Sequence, residues 1–113
     1  MVYHLVLMKP RPDLSAADHE RLIGAFERAI REIPSVRGVR VGRRVADRVS
    51  YEARMPDLAD FLVMIDFENL DGLAAYLRHP AHEELGTRFN ESLASGLLYD
   101  FEGVDLKGLR DLR

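Results

Sequence analysis

"FLVMIDFENLDGLAAYLRHPAHEEL", residues 61–85, packs a strand, a helix and a helix break into one run. Phe61 to Phe67 is apolar, β-branched and aromatic apart from Asp66, which reads as a strand. Asn69 or Asp71 is placed to cap a helix carrying Leu70, Leu73, Ala74 and Leu77. Pro80 interrupts that helix, because the residue before a proline is pushed out of the α region. The same proline suits the first turn of a new helix. This second helical stretch is expected from about Ala81 to Ala94, through Leu85, Phe89 and Leu93, with Gly96 stopping it.

Outward from that run the chain alternates strand and helix. Residues 2–9, "VYHLVLMK", read as a strand closed by Pro10 and Pro12. Ser15 and Asp18 have capping-box spacing before a helix from about Ala16 to Glu32, whose buried stripe is Leu22, Ile23, Phe26, Ala29, Ile30 and Ile33. Pro34 ends it. Gly38 to Val45 reads as a second strand, and residues 46–59, with Pro56, as a long loop. "LLYDF", Leu97 to Phe101, is the last strand, and "LKGLRDLR" is a polar tail with room for a helical turn. The order is β-α-β-β-α-β, an α+β pattern in which helices cover one face of an antiparallel sheet. A chain of 113 residues has room for one domain and one core, here about residues 2–102.

A sheet with one solvated face alternates apolar and polar residues. The first strand does not: His4, Val6 and Met8 share one face and Tyr3, Leu5 and Leu7 the other. In the third strand Phe61, Val63, Ile65 and Phe67 stand against Leu62 and Met64. Helices can cover only one of these faces. The economical cover for the other is a second copy stacked sheet to sheet, giving a symmetric homodimer.

Whole-chain numbers narrow the function classes. The hydrophobic fraction of 47% fits a folded domain, and the net charge of −3 gives no support for nucleic-acid binding. With no cysteine, disulfides and thiolate metal sites are excluded. "MVYHLVLMKP" is too broken by charge and proline for a signal peptide or membrane span, so cytoplasmic residence without membrane association is the expectation. Arg37, Arg40, Arg43, Arg44 and Arg48 read as a solvated edge strand and loop, since no aromatics interleave with them.

Chemistry concentrates in three side chains. Tyr76 and His82 are six residues apart and diverge on a straight helix, yet a break at Pro80 can bring them to one pocket. His79 then drops out as a bystander. His4 is a polar ring on an apolar strand and needs a partner if buried. If His4 meets His82 under the helices, two imidazoles and a phenol share a pocket suited to acid–base work or to orienting a polar ligand. The histidines lack HExxH-type spacing, so no metal is expected.

"YHLVLMKP", "IPSVRGVRVGRRV", "FLVMIDFENLDGLAAYLRHPAHEEL" and "LLYDFE" together resemble the stress-response α/β barrel (Dabb) family over nearly the whole domain, "HPAH" being the most specific part. The resemblance implies a ferredoxin-like fold that dimerises through its sheets into a barrel. It also implies site roles, taken from a plant polyketide cyclase of the family: an acid–base histidine at His82, a pocket tyrosine at Tyr76 and a pocket histidine at His4. Where that enzyme has a further histidine, this chain has Phe61, which implies a drier, smaller pocket. Val6, Phe26, Phe61, Val63 and Phe89 are the expected apolar lining. Three roles stay open: binding a small apolar or carbonyl-containing ligand, cofactor-free lyase or cyclase chemistry with His82 as base, or oligomerisation alone. None calls for a cofactor.

Overall fold

The sheet is built around β1, Val2–Pro10, which is flanked on both sides. The computed structural model describes residues 1–45, 50–55 and 59–111. In chain order the remaining elements are α1 (Ala16–Glu32), β2 (Val36–Arg43), β3 (Phe61–Phe67), α2 (Leu70–Leu77), α3 (Pro80–Ser92) and β4 (Leu93–Glu102). The strands form one antiparallel sheet in the order β2-β3-β1-β4, the ferredoxin-like arrangement. Ser50–Arg54 and Leu106–Asp111 add short 3-10 turns. Of the expected 46–59 loop, residues 46–49 and 56–58 lie outside the described residues.

Alternation decides what each strand buries. Val2, His4, Val6 and Met8 of β1 and Val63, Ile65 and Phe67 of β3 point at the helices and form the core with Leu22, Ala25 and Ala29 of α1. Those α1 positions recur at spacings of three and four, as one buried helix face requires. Ala25 belongs to that face, whereas Ile23 is exposed at the rim. Fully burying a side chain such as Ile65 contributes about 1.5–3 kcal/mol, so this shared face is the main source of stability.

The caps differ in detail from the sequence pattern. Ser15 Oγ accepts the Asp18 backbone N–H at 3.0 Å, which is half of a capping box. The Asp18 carboxylate turns instead to Arg21, one turn along the same helix. Asn69 caps α2 by accepting the Gly72 N–H at 3.0 Å.

Two glycines read as boundaries lie inside strands. β2 starts at Val36, two residues before Gly38, and its pairing with β3 shifts register between Val36 and Gly38. A Cβ at Gly38 would come within 3.3 Å of the Asp66 carboxylate, a close approach of the kind that places glycine at bulges. Gly96 does not stop α3, which ends at Ser92. It pairs with Met8 in β4, and a Cβ there would lie 2.6 Å from the Phe89 ring. Phe89 can pack against the strand at this point because Gly96 has no side chain.

The molecule is only 20 Å along its shortest axis, the depth of one helix layer on one sheet. The face of the sheet away from the helices is covered only in part among the described residues, with Tyr51, Glu52 and Met55 lying beside Leu7 and Leu97 at one end. It presents Tyr3, Leu5, Leu7, Leu62 and Met64, with Leu97, Tyr99 and Phe101 left 51%, 46% and 49% exposed.

Candidate functional site

Pro80 sets the geometry. α2 ends at Leu77 with Arg78 as its C-cap, and His79 adopts an extended backbone (φ −72, ψ 142), as a residue before proline must. His79 then becomes the N-cap of α3: its Nδ1 accepts the Ala81 N–H at 3.0 Å and its carbonyl accepts the N–H groups of His82 and Glu83 at 3.0 and 3.1 Å. The side chain is thus committed to the helix start. In an uninterrupted helix Tyr76 and His82 would project about 120° apart. Across the break their ring centroids are 4.8 Å apart.

Tyr76 is 1% exposed and wedged among three rings, with Phe67 at 5.1 Å and His4 at 5.6 Å besides His82. Burial pushes its phenol up to about 12, so it is a proton-bearing donor at any ordinary pH. His82 is half-buried. Burial chiefly, and then the charge of a protonated His4, hold its imidazole below the ordinary histidine value, while hydrogen bonding to the Leu77 backbone acts in the opposite direction. At neutral pH His82 is accordingly an uncharged ring able to accept a proton.

His4 rises from the middle of β1 beneath these two. Its Nδ1 lies 2.6 Å from Asp100 Oδ1, on the directly paired residue of β4. His4 is buried, whereas the Asp100 side chain is 44% exposed at the sheet edge. Sequence pattern does not single out Asp100. The available signal was an aspartate in the apolar run "LLYDF".

His4, Tyr76 and His82 line a cavity of about 230 Å³, walled by Val6, Phe26, Leu85, Phe89 and Leu98. Phe61 and Val63 do not line it. They line a neighbouring apolar groove of about 290 Å³ between α1 and the β2–β3 side of the sheet. The physical reason is register. Phe61 shares His4's face, but it pairs with Met8, four residues or about 13 Å further along β1. Phe26 lines both spaces and stands between them. Among the described residues no three His, Cys, Asp or Glu side chains form a metal-binding group, and no helix is long and apolar enough to cross a membrane.

Helices on one face of a β2-β3-β1-β4 sheet, with ionisable rings between the layers, place the chain among the ferredoxin-like α+β proteins. Within that class it belongs to the stress responsive A/B barrel domain family, whose model matches residues 2–103. Olivetolic acid cyclase of Cannabis sativa is 23% identical over 100 residues, covering 88% of this chain and 94% of that one. A solved Arabidopsis thaliana protein aligns at 24% identity with a TM-score of 0.75, covering 94% of this chain and 98% of that one. A hydroxynitrile lyase from Passiflora edulis aligns at 14% identity with a TM-score of 0.72, covering 88% and 90%. Further bacterial neighbours at 22–24% identity are described as dimeric proteins with the ferredoxin-like fold. At these identities the structural likeness speaks for the fold.

Proposed function

We propose that the chain is a small-molecule-binding protein whose cavity between sheet and helices takes a compact, mostly apolar ligand bearing a carbonyl group. The observation that carries this reading is the convergence of His4, Tyr76 and His82 on one otherwise apolar space of about 230 Å³. A few polar groups in an apolar pocket orient a ligand without paying for many buried polar atoms. The volume falls below the roughly 300–1,000 Å³ of drug-sized sites, which favours a ligand of few heavy atoms. Tyr76, as a donor that keeps its proton, is matched to a carbonyl oxygen.

The state of His82 favours a second reading, cofactor-free proton transfer. An uncharged imidazole 4.8 Å from a protonated phenol is a base beside an oxyanion donor. His82 would take a proton α to the carbonyl while the enolate oxygen accepts a hydrogen bond from Tyr76. Relatives named as a cyclase and a lyase are in keeping with such chemistry. In this reading the largely open outer face of the sheet meets the same face of a second copy, so that the working unit is a homodimer.

Acetophenone in D₂O tests both readings. Saturation-transfer NMR detects its binding, and loss of its methyl proton signal detects enolisation. Binding without exchange supports a binder. Exchange lost in His82→Ala and kept in His79→Ala supports catalysis. No binding by acetophenone or by a series of small aliphatic ketones sinks both readings.

A further inference from the structure

We propose that two copies stack with their two-fold axis parallel to the strands, so that Arg40 on β2 of one copy lies on the ring of the partner's Tyr99, and that this contact selects the orientation of the pair. The inference rests on the homodimer reading and deepens it. Strand register arranges the outer face as rungs running from β2 to β4. Gly38, Asp66, Tyr3 and Phe101 form one rung, and Arg40, Met64, Leu5 and Tyr99 the next. The β2 edge is therefore thin, a glycine beside one long side chain. The β4 edge is thick, with two half-exposed aromatic rings whose centroids lie 5.9 Å apart. The third rung, from Gly42 to Leu97, is partly covered by Tyr51 and Met55, so the first two carry the contact.

Two aligned stackings are open to identical sheets. An axis across the strands sets β2 on β2 and β4 on β4. Glycine then faces glycine over a gap, while the aromatic rows collide. An axis parallel to the strands sets β2 on β4 and keeps the rungs in step. Thin meets thick at both edges, which fills the space between the sheets as close packing requires. Arg40 then faces the partner's Tyr99. Its guanidinium is drawn toward the sheet by Asp66. Nη2 stands 3.5 Å from Asp66 Oδ1, a buried oxygen to which no described residue donates a hydrogen bond. The Arg40 side chain is nevertheless 64% exposed, which leaves its outward side for an aromatic ring, a partner on which arginine stacks well.

Sedimentation equilibrium on charge-swapped chains tests this. Within one copy Arg40 and Tyr99 stand on opposite edges, three strand spacings or about 14 Å apart, so coupling between them arises between copies. Arg40→Ala is expected to raise the dimer dissociation constant about tenfold. Arg40→Glu and Tyr99→Arg are each expected to weaken the dimer further. The double variant Arg40→Glu/Tyr99→Arg is expected to dimerise again, because each new carboxylate faces a new guanidinium across the stack. With the axis across the strands, like charges would meet instead, and the double variant would be weaker than either single one. Far-ultraviolet spectra check that every variant keeps its fold. A double variant that dimerises no better than Tyr99→Arg overturns the proposal, as does an Arg40→Ala constant within twofold of the wild type. A wild-type monomer, or a dimer indifferent to Tyr99→Arg, overturns the stacking itself and leaves this face to a different protein.

Discussion

The rings of Tyr76 and His82 meet at 4.8 Å although a straight helix would turn them apart, and the backbone of His79 and Pro80 is what joins them. Two histidines three residues apart thus do different work. His79→Ala removes the cap of α3 and is expected to cost about 1 kcal/mol, within the usual range for a lost N-cap. Ketone binding should persist, because His79 does not line the cavity. His82→Ala should do the reverse, leaving urea midpoints nearly unchanged while ligand binding or proton exchange falls. Equilibrium unfolding of both variants beside NMR binding would refute this division if the two effects fell on the same residue.

His82 also makes stability depend on pH. Its proton affinity in the folded chain is held below the ordinary value of 6.5, mainly by burial. Between the folded and unfolded values the unfolded chain carries more protons, so stability rises with pH through that window. The penalty is absent well above 6.5 and accumulates as the pH falls below it. His82→Gln removes the titrating group. Urea unfolding at pH 5 and pH 7.5 should show a smaller loss at pH 5 in His82→Gln than in the wild type, whereas parallel profiles would exclude His82 as a source.

Local pattern made the elements and the two-faced sheet legible, because period and punctuation are short-range properties. His4, Tyr76 and His82 stood out for the same reason: each is a polar ring in an apolar setting, or sits beside a proline. What escaped was set by strand register. Asp100 is 96 residues from its partner His4, and nothing local announces the pairing. Alternation puts Phe61 on the face of His4 but not in its cavity, since it fixes a side and not a position along the strand. Gly96 looked like a helix stop because its contact with Phe89 exists only once α3 folds back on β4.

That contact yields a prediction about cavity size. Phe89 forms a wall of the cavity and lies over Gly96, where a new Cβ would sit 2.6 Å from the ring. Gly96→Ala must displace the ring. The strand backbone is held by its ladder to β1, so the ring moves toward the open side, which is the cavity. The expected outcome is a loss of acetophenone binding of tenfold or so, with an overpacking cost of about 1–3 kcal/mol. Phe89→Leu in the Gly96→Ala background relieves the clash and should restore both. A Gly96→Ala variant that binds acetophenone as well as the wild type would mean that Phe89 does not limit the space.

The outer sheet face sets the last expectation. Leu5 and Tyr99 are direct partners on β1 and β4, in the middle of an apolar surface that the described residues leave largely open. Tyr99 is 46% exposed, so an arginine there meets no obstacle within one copy. If two copies stack on this face, the same substitution buries two guanidinium groups without partners, near each other about the symmetry axis or against apolar side chains. An unpaired buried charge is strongly unfavourable. Tyr99→Arg is therefore expected to convert a dimer into a folded monomer, seen as a halved mass by light scattering with an unchanged far-ultraviolet spectrum. Arg31→Glu, on the exposed side of α1, serves as the control and should leave the mass alone. A wild-type monomer at micromolar concentration would refute the stacking, and so would a dimer that survives Tyr99→Arg, because no other arrangement of two copies needs this face to be apolar.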